Sequence, residues 1–174
     1  IKTSGFDIEA SYRWQQPLGL DGSLTFRALA THIREYLTDT GLPGTIPTDS
    51  AGVNTGATPH WKWLAIQSYE NERFTLTLQE RWFSNGNYGN QYVVCAPGTC
   101  PVSTANAPTI DQNFMPGAFY VDVGGSHNIR EGVVGYVKVD NLFDRDPAKS
   151  PSYANPALYD IIGRTYRAGV RFKF

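Results

Sequence analysis

Two cysteines, Cys95 and Cys100, lie in the run Cys-Ala-Pro-Gly-Thr-Cys. So close a pair is able to bind a metal or to act in redox chemistry, but this spacing around Pro-Gly suits a small disulfide loop in an oxidising compartment. His32, His60 and His127 fall on different predicted elements. They lack the i,i+4 or Cys-x-x-Cys partners that a metal site needs, so they read as scattered surface or interior side chains. Asp7, Glu9, Asp122 and Asp140 are the carboxylates to weigh as a hydrolytic pair. Each falls on the polar side of an alternating segment, where charge belongs without any catalytic role. Enzyme chemistry is therefore the weakest class, and no catalytic residue, metal or cofactor is expected. Asn85, Asn87, Tyr88, Asn90, Gln91 and Tyr92 offer amides and rings that suit a neutral or glycosidic small molecule. The same Asn-Gly-rich composition equally makes a plain turn.

The elements that carry these residues are strands. In the last stretch, residues 163–174, Tyr166, Ala168, Val170, Phe172 and Phe174 share one face, while Thr165, Arg167, Gly169, Arg171 and Lys173 share the other. Such alternation predicts a strand with one apolar and one cationic side, which also suits an ordinary edge strand. Residues 5–14 alternate as cleanly, with Phe6, Ile8, Ala10, Tyr12 and Trp14 opposite Asp7, Glu9, Ser11 and Arg13. Further strands are predicted over residues 24–36, 61–69, 74–83, 118–128 and 133–142. The first of these is less regular, because Arg27 shares a side with Leu29, and a helix stays open there. The connections alternate in length: short at 15–22, 70–73 and 130–132, long at 37–59, 84–117 and 145–162. Successive antiparallel strands then place every short turn at one end and every long loop at the other. Membrane barrels have that polarity, whereas a Greek-key sandwich has no reason for it.

Composition permits this reading without requiring it. The chain has 174 residues with 15 Lys and Arg against 16 Asp and Glu, a balance that leaves no basic footprint for nucleic acid. No apolar run approaches the roughly 20 residues of a membrane helix, and the mean hydropathy is -0.34. A barrel strand needs only about 9–11 residues with every second one apolar. Aromatic residues at 13%, with 17 Gly and 11 Pro, suit strands punctuated by turns. Trp61, Trp63, Trp82, Tyr12 and Trp14 stand near strand ends, as in the aromatic girdles at membrane interfaces.

Several motifs resemble one family. Arg167, Gly169, Phe172 and Phe174 resemble the polar-x-Gly-x-x-aromatic-x-aromatic end signal by which bacterial outer-membrane barrels are recognised for assembly. The run Val139-Asp140-Asn141-Leu142-Phe143-Asp144-Arg145-Asp146-Pro147 resembles the Asn-Leu-Phe-Asp element on the next-to-last strand of TonB-dependent outer-membrane receptors. Ile162-Gly163-Arg164-Thr165-Tyr166-Arg167 resembles their last strand, and Thr3-Ser4-Gly5-Phe6-Asp7-Ile8-Glu9 their Thr-Ser-Gly-x-Asp-x-Glu strand start.

The resemblance implies an all-β, antiparallel transmembrane β-barrel segment of about seven strands from a larger barrel of about 22. It further implies the outer membrane of a Gram-negative bacterium, and uptake of a scarce nutrient such as a ferric siderophore. The implied partners are outer-membrane lipid, the barrel-assembly machinery, a small-molecule ligand, TonB, and an N-terminal barrel and plug portion. No plug or TonB-contacting box occurs within residues 1–174, and an odd strand count leaves the first and last strands unable to pair antiparallel. The expectation is a C-terminal barrel portion or split half that does not close alone. The rival class is a non-transporting barrel or a surface binding or adhesin β-protein.

Overall fold

In strands β1 (Lys2–Gln15), β2 (Ser23–Thr38), β3 (Trp61–Glu70), β4 (Phe74–Phe83), β5 (Ala118–Arg130), β6 (Val133–Asp140) and β7 (Thr165–Phe172) the apolar residues recur at every second position. A period of 2 gives each strand two unlike faces. The computed structural model describes residues 1–148 and 154–173. These strands form one sheet, each antiparallel to its neighbour and in sequence order, with Thr48–Asp49 added beside the end of β2. The segment 24–36, for which a helix was open, lies wholly within β2. Its irregular pattern records apolar groups on the polar side rather than a helical period.

The register makes the two faces continuous. The pairs Phe6↔His32, Ile8↔Ala30 and Tyr12↔Phe26 join β1 to β2, and Ala28↔Ala65, Ala30↔Trp63 and Leu24↔Tyr69 carry the same face to β3. It continues through Trp63↔Trp82, Trp82↔Phe119 and Leu78↔Val123, then Val123↔Val139, Val137↔Ala168 and Gly135↔Val170. Within that apolar face the polar exceptions between the two ends are Gln67 and Glu80, diagonal neighbours whose side chains meet at 3.2 Å. On the opposite face lie Glu9, Arg27, Arg81, Asp122, Lys138, Asp140, Arg167 and Arg171. Phe6, Val170 and Phe172, which alternation puts on the apolar side, and Glu9, Asp122, Asp140, Arg167 and Arg171, which it puts on the polar side, keep those sides in the sheet.

Aromatic residues collect at both ends of the apolar face. At one end the His32 ring stacks on Trp61 with centroids 4.4 Å apart, Phe6 meets Trp61 edge-on, and Trp63 packs 5.9 Å from Phe119. At the other end stand Tyr12, Trp14, Phe26 and the Tyr69 and Phe74 pair, whose rings are 5.6 Å apart. The connections at this second end are residues 16–22, 71–73 and 131–132, all short. The long connections all leave from the first end.

Local chemistry sets where strands stop. Asn141 follows β6 with φ 51, so the chain leaves the sheet there and not at Leu142 as the alternation suggests. Gly163 adopts φ 83, which a side chain tolerates poorly, and β7 accordingly begins at Thr165. The long loops are not featureless. Two-residue ladders pair Gly86–Asn87 with Phe114–Met115 and Val93–Val94 with Thr109–Ile110.

Candidate functional site at the long-loop end

The charged groups of the polar face are organised by pairing across strands. Asp122 of β5 is 4% exposed and accepts hydrogen bonds from Gln79 Nε2 at 3.0 Å and from the Asn141 backbone N–H at 2.8 Å. The Arg81 guanidinium lies 3.6 Å from the same carboxylate, 3.8 Å from Asp160, and over the Tyr120 ring at 4.8 Å from its centroid. Burying these charges is tolerable because each has partners. Asp140 takes Lys138 Nζ at 2.6 Å and also the Arg167 guanidinium. Asp122 and Asp140 thus serve as anchors for cations and amides rather than as a free carboxylate pair.

Residues 154–163, the described end of the third long loop, fold back over this face. Leu158 and Tyr159 join Phe83, Met115, Ala118 and Tyr120 in one buried cluster. Tyr159 donates to the Pro116 carbonyl at 2.6 Å, and burial pushes its phenol above the ordinary tyrosine range. The Asp160 backbone N–H donates to the Tyr120 hydroxyl at 3.1 Å. Asn155 Nδ2 reaches the Thr55 carbonyl at 2.8 Å, tying this loop to the first long one. The cover made by residues 154–163 lies on the polar side of the sheet, while most apolar-side residues stay at least partly exposed, Val121 at 6% being an exception.

The motif between β6 and β7 is a lock of hydrogen bonds. Asn141, fully buried, donates to the Arg145 carbonyl at 3.1 Å and accepts the Arg145 N–H at 2.9 Å. Asp144 Oδ1 accepts the Arg164 N–H at 2.9 Å, and the Arg164 side chain returns to the Leu142 carbonyl at 3.2 Å. A side chain at Gly163 would meet Asp144 Oδ1 at 3.2 Å. The run around Asn141 and the Gly163-Arg164 pair are thus two halves of one turn.

Of the loop residues singled out from sequence, several hold the loops themselves. Asn85 Oδ1 accepts the Gly117 N–H at 2.7 Å, Asn87 Nδ2 donates to Asn90 Oδ1 at 3.1 Å, and Asn90 Nδ2 donates to the Ala51 carbonyl at 2.7 Å. Tyr88 packs against the buried cluster, and its carbonyl accepts from Thr55 Oγ1 at 2.6 Å. Gln91 is exposed and Tyr92 half-buried. Cys95 and Cys100 form the expected disulfide, with their Cα atoms 5.2 Å apart. Of the end-signal residues, Arg167 is engaged with Asp140, Phe172 lies on the apolar face opposite Val133, and Phe174 falls outside the described residues. Gly169 lies beneath the Tyr136 ring, where an added Cβ would meet the Tyr136 hydroxyl oxygen at 2.6 Å.

Sequence reading missed one cluster. His32 and His60, expected apart, have ring centroids 6.4 Å apart, and each donates its Nδ1–H to a carbonyl of the other segment at 2.9 Å. The contact depends on residues 58–60 turning back against Ile33, which no local period encodes. Among the described residues no group of three or more His, Cys, Asp or Glu is placed to hold a metal ion.

Seven antiparallel strands in sequence order, with two unlike faces, define a segment of a β-barrel. A crystal structure of a mutant ferric enterobactin receptor from Pseudomonas aeruginosa is similar to it, with a TM-score of 0.58 at 15% identity. The match covers 99% of this chain and 22% of that receptor, so the chain spans about a fifth of its length. At this identity the likeness is one of fold. No protein-family profile matches the chain, and no curated protein matches it in sequence.

Proposed function

We propose that the chain is the C-terminal portion of a TonB-dependent receptor barrel in the outer membrane of a Gram-negative bacterium, taking up a ferric siderophore or similar scarce ligand. The observation that carries this is the single apolar face running in register through all seven strands, with the long loops gathered at one end and folded over the polar face. In a bilayer the apolar face meets lipid, the polar face lines the lumen, and the long loops stand outside. Edge strands β1 and β7 pair with the remaining strands of a larger barrel, and an N-terminal portion supplies the plug and the contact with TonB. The barrel-assembly machinery reads Arg167, Gly169, Phe172 and Phe174. The exposed surface of the loop carrying Asn85, Asn87, Tyr88, Asn90, Gln91 and Tyr92 meets ligand.

A host strain lacking the gene should lose accumulation of a radiolabelled ferric siderophore under iron limitation, and the intact gene should restore it. Unchanged accumulation across a panel of ferric siderophores would contradict the transport role while leaving the barrel itself to be judged separately.

A further inference from the structure

One row of the polar face is apolar over two strands. Leu29 of β2 lies opposite Leu64 of β3, Leu64 opposite Arg81, and Arg81 opposite Tyr120, so one row across four strands reads apolar, apolar, cation, aromatic. Ala157 and Leu158 of the third loop overhang this row, and between them and the sheet is a cavity of about 240 Å³. An apolar cavity of about 150 Å³ is enough to admit benzene, so this one has room for an aryl group or a short acyl chain. Its wall contains no carboxylate. The Arg81 guanidinium is already engaged by Asp122 and Asp160. Lys62 stands at the mouth, opposite Thr31 and Phe83, and among the described residues it has no ion pair. Of the other acids on this side, Glu9 is held by Arg27 at 2.9 Å, Asp122 and Asp160 are held by Arg81, and Asp7 is two strands away from Lys62 and so about 10 Å distant.

We propose that this cavity binds an amphiphilic anion, its aryl or short acyl part lying on Leu29 and Leu64 and its carboxylate facing Lys62. Leu29 is 38% exposed beside Leu64 on an otherwise charged wall, and covering the pair with an apolar guest removes that surface from water. The proposal rests on the receptor reading, since it makes the polar face a lumen that such a ligand reaches from the long-loop end.

The test uses the full-length protein in lipid nanodiscs, with empty nanodiscs as the blank, and reads binding of phenylbutanoate, phenylbutanol and phenylbutylamine by ligand-observed NMR. The acid should bind above the blank and the amine should not. Lys62→Gln should weaken the acid by about fivefold and leave the alcohol unchanged, the size expected of one exposed charge pair. Leu64→Trp should abolish binding of both. Because a bulky change in a strand risks folding, Leu158→Trp fills the same cavity from the loop side and should give the same result. Acid binding no greater than the blank, equal binding of acid and amine, or binding that survives both tryptophans would overturn the site. Siderophore accumulation intact alongside any of these results would leave the receptor reading standing.

Discussion

Asn141 turns the chain out of β6 with φ 51 while both ends of its amide bond Arg145. Asparagine tolerates the left-handed conformation better than most residues, and its short amide reaches the local backbone. Asn141→Ala should lower stability by about 1–3 kcal/mol, because it removes two part-buried hydrogen bonds to the Arg145 backbone. Urea unfolding in lipid vesicles measures this, and an unchanged midpoint would remove the lock from the account. Asp49 is a second such residue. The N–H groups of Ala51 and Tyr36 donate to its carboxylate and hold it below the usual carboxylate range. A carboxylate whose value is depressed by folding adds stability above its unfolded value, and that stability is lost as pH falls through the folded value. Loop residues 39–60 should therefore become sensitive to an acid-active protease below about pH 4. Asp49→Asn should raise sensitivity at neutral pH and flatten the pH dependence.

At the scale of strands, period-2 alternation was sufficient to place β1, β4 and β7 to within a few residues, because each has one side that must be apolar. Short turns then made neighbours of successive strands, so the pairing was legible as well. What alternation does not encode is contact made by a loop returning to the sheet. Asp160 beside Arg81, Leu158 over Leu64, and His60 beside His32 are all of this kind. Nor does it explain polar groups within an apolar face, and Gln67 with Glu80 is the clearest case. If that face meets lipid, Glu80 carries a cost that falls toward the Trp82 girdle two residues away. Glu80→Leu alone should be close to neutral, since it strands the Gln67 amide. Replacing both by leucine should stabilise the protein in vesicles by about 1 kcal/mol. A clear loss of stability in the double variant would argue that this patch is covered by protein.

At the scale of the molecule, the sheet is open among the described residues: β1 and β7 are its two edges, and both run from the long-loop end to the short-turn end. Unpaired edges leave backbone groups unsatisfied at several kcal/mol each in hydrocarbon, so a bilayer requires further strands beside both. In a barrel the apolar face meets lipid while the loop-covered polar face does not. β5 is the strand on which to test it, because it lies inside the sheet and its faces differ sharply. The decisive measurement is a spin-label scan of residues 119–124 in the full-length protein in vesicles, comparing collision with oxygen and with a water-soluble nickel chelate. Phe119, Val121 and Val123 should favour oxygen, while Tyr120, Asp122 and Gly124 should not, giving a period of 2 along the strand. Uniform access to the nickel chelate on both sets, or oxygen preference on Tyr120 and Asp122, would contradict the account.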